Sequence, residues 1–410
     1  MRICFVSRRY WPAVSGMSVY AENLLRELVA LGHDVTLVSQ YRDDEAGTRV
    51  YGGGPPPPDR VPHGVEVVAL PSRGETVVPA DWEGDIDEIV RTVVGLHAER
   101  PFDVLHAQYG YPPGLAVLAA ARETGLPAVV SIQGGDGHWV GTCCTTHAEA
   151  MRTVVDAANA VLIGSASFRD EVVGNLGSDP ARFTIVPGAT DTRRFTPAER
   201  PLGALQDPPV LLFHGRVDRR KGVLDLLEAL PDGVRLVVSG IGPDLEEARA
   251  RADSRTTFLG YVPPDEAPEV YRSADVFVSP TYSEGFSNTL LEAMASGLPT
   301  VSTDSVGVVD CLRHEENGLL HAPGDVAGLA KELDRLLSDG ALRTRLASTA
   351  LEEVRRLYSW PVLAGAIDGV YARLAGTVPD LDWTPPTTVD PSCRFRAAAH
   401  QSRCAAARKR

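Results

Sequence analysis

The chain has 410 residues, 44% of them hydrophobic, with a net charge of −14. That is more chain than one core holds, so two or three domains are expected. The acidity disfavours a general nucleic-acid binder, because phosphates repel it.

No apolar run reaches the roughly 18 residues of a membrane span. The opening MRICFVSRRY has too short an apolar stretch for a secretory signal and lacks a cleavage site. A cytoplasmic protein with no integral membrane contact is expected. Cys4, Cys143, Cys144, Cys311, Cys393 and Cys404 form no CxxC pair, so neither a zinc site nor a disulfide framework is indicated. The adjacent Cys143 and Cys144 read as reduced thiols, with a soft-metal site as the alternative.

Along the chain, ICFVS (3–7) predicts a buried strand. A helix follows over 19–29, with Leu24, Leu25 and Leu28 on its apolar face. DVTLVS (34–39), VEVVAL (65–70), DVLHA (103–107), AVVSI (128–132) and AVLIG (160–164) continue the strand series, and GGGPPPPDR (52–60) reads as a stiff surface loop. The series restarts after about residue 205 with PVLLFHG, VRLVVSG, TTFLG, DVFVSP, LPTVS and GLLHA. Strands alternating with helices imply parallel sheets, so the expectation is α/β with two doubly wound domains facing each other across a cleft. Their boundaries are read as 1–195 and 205–358, with a helical segment over 359–376 and a mobile tail over 377–410.

Three stretches carry candidate chemistry. In SPTYSEGFSNTLLEAMASGLPTV (279–301), Gly285 allows a tight turn after a strand. Phe286, Ser287, Asn288 and Thr289 then open a helix, whose N-terminus binds anions through unpaired N–H groups. Glu284 precedes the turn and Glu292 lies two turns on. They either hold the hydroxyls of two sugars or belong to a capped surface helix.

In HGRVDRRKG (214–222), Arg216 and Lys221 suit a diphosphate, the alternative being a solvated basic loop. Arg219 and Arg220 read as solvated. Gly16 opens the first helix, where its missing side chain lets a phosphate or sugar approach. It is equally an ordinary helix-start glycine. The absence of GxGxxG there argues against a dinucleotide oxidoreductase.

Together these stretches resemble glycosyltransferase family 4, the retaining nucleotide-sugar enzymes of the GT-B fold. SEGFSNTLLEAMASGLPTV looks like the family's paired-glutamate segment, and GRVDRRKG like its diphosphate loop. SGIGPDLEEA (239–248) and TFLGYV (257–262) fall where the family builds its base pocket. VPGATDTRRFTP (186–197) resembles its interdomain V-P-N-G-V-D, but Gly188-Ala189-Thr190 departs from it.

By matching position, the resemblance implies that Arg216 and Lys221 hold the diphosphate and that Gly16 approaches the distal phosphate. Glu284 and the turn from Gly285 to Thr289 would contact the transferred sugar or phosphate. Glu292 would take the ribose diol, and Tyr261 and Val262 the base. It implies a nucleotide-sugar donor, most readily a UDP-sugar, and neither metal nor other cofactor; no Asp-x-Asp stretch stands out as a metal-ligand pair. It also implies that the helical segment over 359–376 crosses back to the first domain.

Where the family often carries His-Gly, this chain has Gln133-Gly134, and an amide is no general base. Asp136, His138, Trp139 and His147 are further candidates for binding a small hydroxylated acceptor, or else loop, capping and core residues. A retaining glycosyltransferase is the expected activity. A sugar-nucleotide epimerase of the same fold and a silent nucleotide-sugar-binding subunit are the alternatives.

Overall fold

The computed structural model describes residues 1–44, 52–76, 80–378 and 382–384; most of the expected tail lies outside the described residues. Two compact units are present. One comprises Met1–Gly164, Arg169–Val186 and the described chain from Ala364 onward, and the other Ser165–Phe168 and Pro187–Leu363. The fold is GT-B: two Rossmann-like parallel sheets.

The first unit's sheet holds β1 (Arg2–Ser7), β2 (Asp34–Tyr41), β3 (Val65–Pro71), β4 (Val104–Gln108), β5 (Ala128–Ile132), β6 (Ala160–Ile163) and β7 (Phe183–Ile185). Their order is β3-β2-β1-β4-β5-β6-β7. Every residue of β1, β4 and β5 is buried, so both faces are covered, as parallel sheets require. Strand β7 was not expected. Only Phe183 of its three residues is buried, so it offers no apolar run to read.

The second sheet holds β8 (Val210–His214), β9 (Arg235–Ser239), β10 (Thr256–Gly260), β11 (Val276–Ser279), β12 (Thr300–Thr303) and β13 (Leu319–His321), in the order β10-β9-β8-β11-β12-β13. Each sheet reverses direction once, between β1 and β4 and between β8 and β11. Loops leaving the carboxyl ends of such neighbours diverge and open a crevice for ligands.

Residues 187–195, expected to close the first domain, pack with the second unit. Thr190 N–H donates to the Tyr358 carbonyl at 2.8 Å, and Phe195 joins a core with Tyr271, Leu290 and Leu291. The helix Trp360–Leu374 contributes its residues from Ala364 to the first unit. Tyr371 there meets His106 Nδ1 at 2.5 Å, and His106 Nε2 meets Ser131 at 2.7 Å. Burial lowers His106 to about 3, so it stays a neutral bridge.

The proline-rich loop is less solvated than its composition suggests. Tyr10 donates to the Arg60 carbonyl at 2.7 Å, and a Cβ on Gly52 (φ +81°) would lie 2.3 Å from the Pro12 carbonyl oxygen. The loop thus braces the segment that leaves β1.

Candidate functional site

In the second unit the basic loop leaves β8 and the glutamate loop leaves β11, the two strands that flank the switch point. Asp218 is 1% exposed and accepts from Arg220 N–H at 3.0 Å, capping the turn Arg219–Lys221. Burial pulls the Asp218 carboxyl up, but the Arg220 N–H and the Arg220 and Arg216 guanidiniums outweigh it and hold it below the usual range. Gly222 then takes φ +71°, and a Cβ there would sit 2.0 Å from the Pro280 carbonyl oxygen. Only glycine lets the basic loop lie this close to the end of β11. Tyr282 N–H donates to the Arg220 carbonyl at 2.8 Å and ties the two loops together.

The loops also join through side chains. Lys221 Nζ donates to Glu284 Oε1 in a partly buried ion pair. Glu284 is itself fixed by its N–H, which donates to the Val306 carbonyl at 3.0 Å. A Cβ on Gly307 would lie 2.1 Å from the Glu284 carbonyl oxygen, so Gly307 must stay bare. Among the described residues, Arg216 reaches Asp218 alone, at 3.5 Å. Arg219 is not the solvated residue expected: it bonds Glu247 at 2.6 Å and Asp244 at 3.3 Å. Arg220 pairs with Asp218.

The helix Asn288–Ala295 begins after Ser287, whose side chain makes no capping bond. Its first-turn N–H groups have no intrahelical acceptor and point out of the helix start. Gly285 O accepts from Ser165 at 3.1 Å, and Phe286 packs on Tyr358 with ring centres 5.6 Å apart. Gly188 fits against this turn. A Cβ there would meet Asn288 Oδ1 at 2.4 Å and the Phe286 ring at 2.7 Å, which accounts physically for the glycine in the departing Gly188-Ala189-Thr190.

Tyr261 and Val262 follow β10; Tyr261 is 42% exposed, while Val262 packs on the core. Gly240 N–H donates to the Gly260 carbonyl at 2.7 Å, linking the ends of β9 and β10. Glu292 accepts from the Tyr271 hydroxyl at 2.7 Å. Burial pushes the Glu292 carboxyl up to about 7, against the pull of Tyr271 and Arg194.

In the first unit, Ser15 caps the helix Gly16–Ala30, and, its own turn of helix and chain neighbours aside, no described atom lies within 4 Å of a Cβ built on Gly16. Packing within the unit therefore does not demand this glycine. Ser7 donates to Gln108 at 2.7 Å, and Gln108 donates to the Met17 carbonyl at 3.1 Å and to Gln133 Oε1 at 3.2 Å. This chain sets Gln133 and Gly134 beside the start of that helix, across the β1/β4 switch point.

Two acceptor candidates do not fit direct contact. Asp136 is fully buried and accepts from Gly110 N–H, so it holds the loop after β4. Burial raises its carboxyl well above the ordinary value. His147 is 2% exposed and packs edge-on to Tyr111. His138 is held by Glu171 at 2.6 Å. Trp139 is 48% exposed and remains accessible with Gln133 and Gly134.

Residues 208–339 match the family model described as glycosyl transferases group 1, and residues 15–189 match a glycosyl transferase 4-like domain. The chain belongs to the group 1 glycosyltransferases.

A Mycobacterium tuberculosis glycogen synthase is 29% identical to this glycosyltransferase, covering 90% of the chain and 94% of the relative. A D-inositol 3-phosphate glycosyltransferase of Xylanimonas cellulosilytica is also 29% identical, covering 87% and 91%. Among solved structures, a sucrose-phosphate synthase from Thermosynechococcus elongatus superposes with a TM-score of 0.77 at 21% identity, over 91% of this chain and 98% of that one. HepE from Anabaena, crystallised with UDP and glucose, gives 0.72 at 17% identity over 91% and 100%.

Sequence reasoning missed Tyr271, which positions Glu292 from 21 residues away; no spacing rule connects them. The glycosyltransferase's Glu292 makes a testable prediction. If its ionised form accepts the ribose hydroxyls, UDP binding favours loss of its proton. Affinity then rises with pH: at a value near 7, ionisation grows from roughly a tenth at pH 6 to nine tenths at pH 8, about a ninefold gain. Calorimetry in buffers of different ionisation enthalpy should show proton release, and Glu292→Gln should leave only the titration of UDP itself.

Proposed function

We propose that this retaining glycosyltransferase moves a hexose or N-acetylhexosamine from a UDP-sugar to a hydroxyl of a small polar acceptor such as a cyclitol, aminocyclitol, sugar or natural-product intermediate. The reading rests on one observation: Lys221, on the loop that leaves β8 with Arg216, bonds Glu284, on the loop that leaves the neighbouring β11 and leads into a helix start with no side-chain cap. The two cations and the first-turn N–H groups suit a diphosphate, and the carboxylates suit the hydroxyls on either side of it. UDP is favoured by the fold shared with HepE, whose crystals hold it.

Stabilisation of the departing UDP by Arg216 and Lys221 would be the main catalytic term. The amide of Gln133 takes no proton, so the leaving phosphate oxygen would accept the proton of the attacking hydroxyl. No helix among the described residues is long and apolar enough to cross a membrane, which fits the cytoplasmic setting we infer.

The test is a panel of nucleotide sugars and acceptors, with products read by mass spectrometry and anomeric configuration by NMR. UDP release that depends on acceptor supports transfer. Release without acceptor alongside an epimerised sugar supports the epimerase, and no turnover with tight UDP binding supports a silent subunit.

Donor-side chemistry is expected to need no divalent ion, since Asp218 and Glu284 are already paired with cations. Adding magnesium or manganese to chelator-treated enzyme should leave turnover unchanged. A rise of several-fold would show a metal on the diphosphate.

A further inference from the structure

Three ligating atoms converge in the first unit, on residues outside the donor loops. The turn Val140–Thr142 delivers Cys143, Cys144 is the N-terminal flanking residue of the helix Thr145–Ala157, and His147 lies in that helix's first turn. The two Sγ atoms are 3.7 Å apart, and His147 Nδ1 is 3.2 Å from Cys143 Sγ and 3.1 Å from Cys144 Sγ. Among the described residues this is the sole His, Cys, Asp and Glu group of three or more able to hold a metal ion.

The triangle has the size of one face of a metal tetrahedron. With zinc–sulfur bonds of about 2.3 Å and zinc–nitrogen bonds of about 2.0 Å, the edges are about 3.8 Å between sulfurs and about 3.5 Å from sulfur to nitrogen. Moving the imidazole outward by about 0.4 Å would complete the match. Tyr111 sets the ring's orientation, with centres 4.5 Å apart at 89°.

We propose that Cys143 Sγ, Cys144 Sγ and His147 Nδ1 bind one zinc(II) ion, with water in the fourth position, and that this ion pins the turn after Trp139 to the helix Thr145–Ala157. Binding displaces two thiol protons to solvent. Two thiolates and a neutral imidazole then balance the ion's charge, as a partly buried site needs. The role is structural and sits beside the acceptor-side residues, so it stands apart from the donor chemistry proposed above. The competing account is a pair of weak thiol–imidazole hydrogen bonds with no ion.

The experiment is a zinc titration of the reduced, metal-free full chain against a chromophoric chelator, repeated with cobalt(II). One equivalent, release of about two protons and a tetrahedral thiolate–cobalt spectrum are expected. Cys144→Ser, at a partly exposed position, should lose at least about 100-fold in affinity while keeping its circular dichroism. Cys143→Ser serves the same purpose should that variant misfold. Cys393→Ser with Cys404→Ser should bind as the parent does. Absence of a stoichiometric site overturns the proposal, as does a Cys143–Cys144 disulfide that resists reduction. Binding lost with the Cys393 and Cys404 changes but kept in both single variants overturns it equally.

Discussion

Lys221→Ala and Arg216→Ala should each weaken UDP binding by roughly 10- to 150-fold. A charge-assisted contact to the diphosphate contributes on the order of 1.5–3 kcal/mol, and about 1.4 kcal/mol is a factor of ten. Lys221→Ala should stand at the upper end. Its ammonium is bonded to Glu284, so removing it both deletes a cation and leaves an unpaired carboxylate facing the phosphates. Among the described residues Arg216 has a single 3.5 Å contact, with Asp218, to lose, so its change should report on the ligand more directly. Arg219→Ala is the control: bound to Asp244 and Glu247, it should alter UDP affinity by less than about threefold while lowering stability slightly. Calorimetry with UDP and with UDP-sugar decides it. Unchanged UDP affinity in both Arg216→Ala and Lys221→Ala would remove the diphosphate from this loop.

Much of the architecture was legible because parallel strands buried on both faces leave continuous apolar runs. AVVSI became β5 (Ala128–Ile132) and TTFLG became β10 (Thr256–Gly260) without adjustment, although the latter is only partly buried. What escaped had no local signature. Strand β7 shows a single buried side chain. The stretch 187–195 looked like the end of one domain, yet its bonds run to Tyr358, more than 160 residues on.

The site followed the same division. The loops that hold Arg216, Lys221, Glu284 and Glu292 are contiguous in sequence and were found as motifs. The bonds between them are not. Lys221 and Glu284 are 63 residues apart, and Glu292 and Tyr271 are 21 apart on separate helices. Asp136 illustrates the opposite error: a polar residue in a polar loop invites a ligand role, but its carboxyl turns inward to Gly110. Exposure, which sequence does not report, separates it from Trp139.

Glu284→Gln and Glu292→Gln should have different consequences. Glu284 stands before the anion-binding turn, and its backbone is fixed by Val306, so the amide variant keeps its place. What it loses is the charge that strengthens hydrogen bonds from sugar hydroxyls and that holds Lys221. Turnover should fall by ~100-fold or more, the scale of losing one preorganised electrostatic contact at the reacting centre. Free UDP has no transferred sugar, so its affinity should stay within about threefold.

Glu292→Gln should do the reverse. It should weaken UDP itself and erase the pH dependence, and a 2′,3′-dideoxy analogue should lose little further with it. Because Lys221 and Glu284 touch, their changes should not add: in Lys221→Ala, the further cost of Glu284→Gln should be smaller than in the parent. Additive costs would mean that the ion pair does not organise the site. Normal UDP binding by Glu292→Gln together with lost UDP binding by Glu284→Gln would reverse the order of the two carboxylates along the donor. If both variants merely shift the melting temperature and leave kinetics alone, the glutamates only cap and brace a helix. The buried Tyr271 bond to Glu292 and the Lys221 bond to Glu284 argue against that outcome, since each holds a carboxylate against a side chain of another element, Tyr271 of the helix Ala267–Arg272 and Lys221 of the loop after β8, rather than against the helix's own backbone.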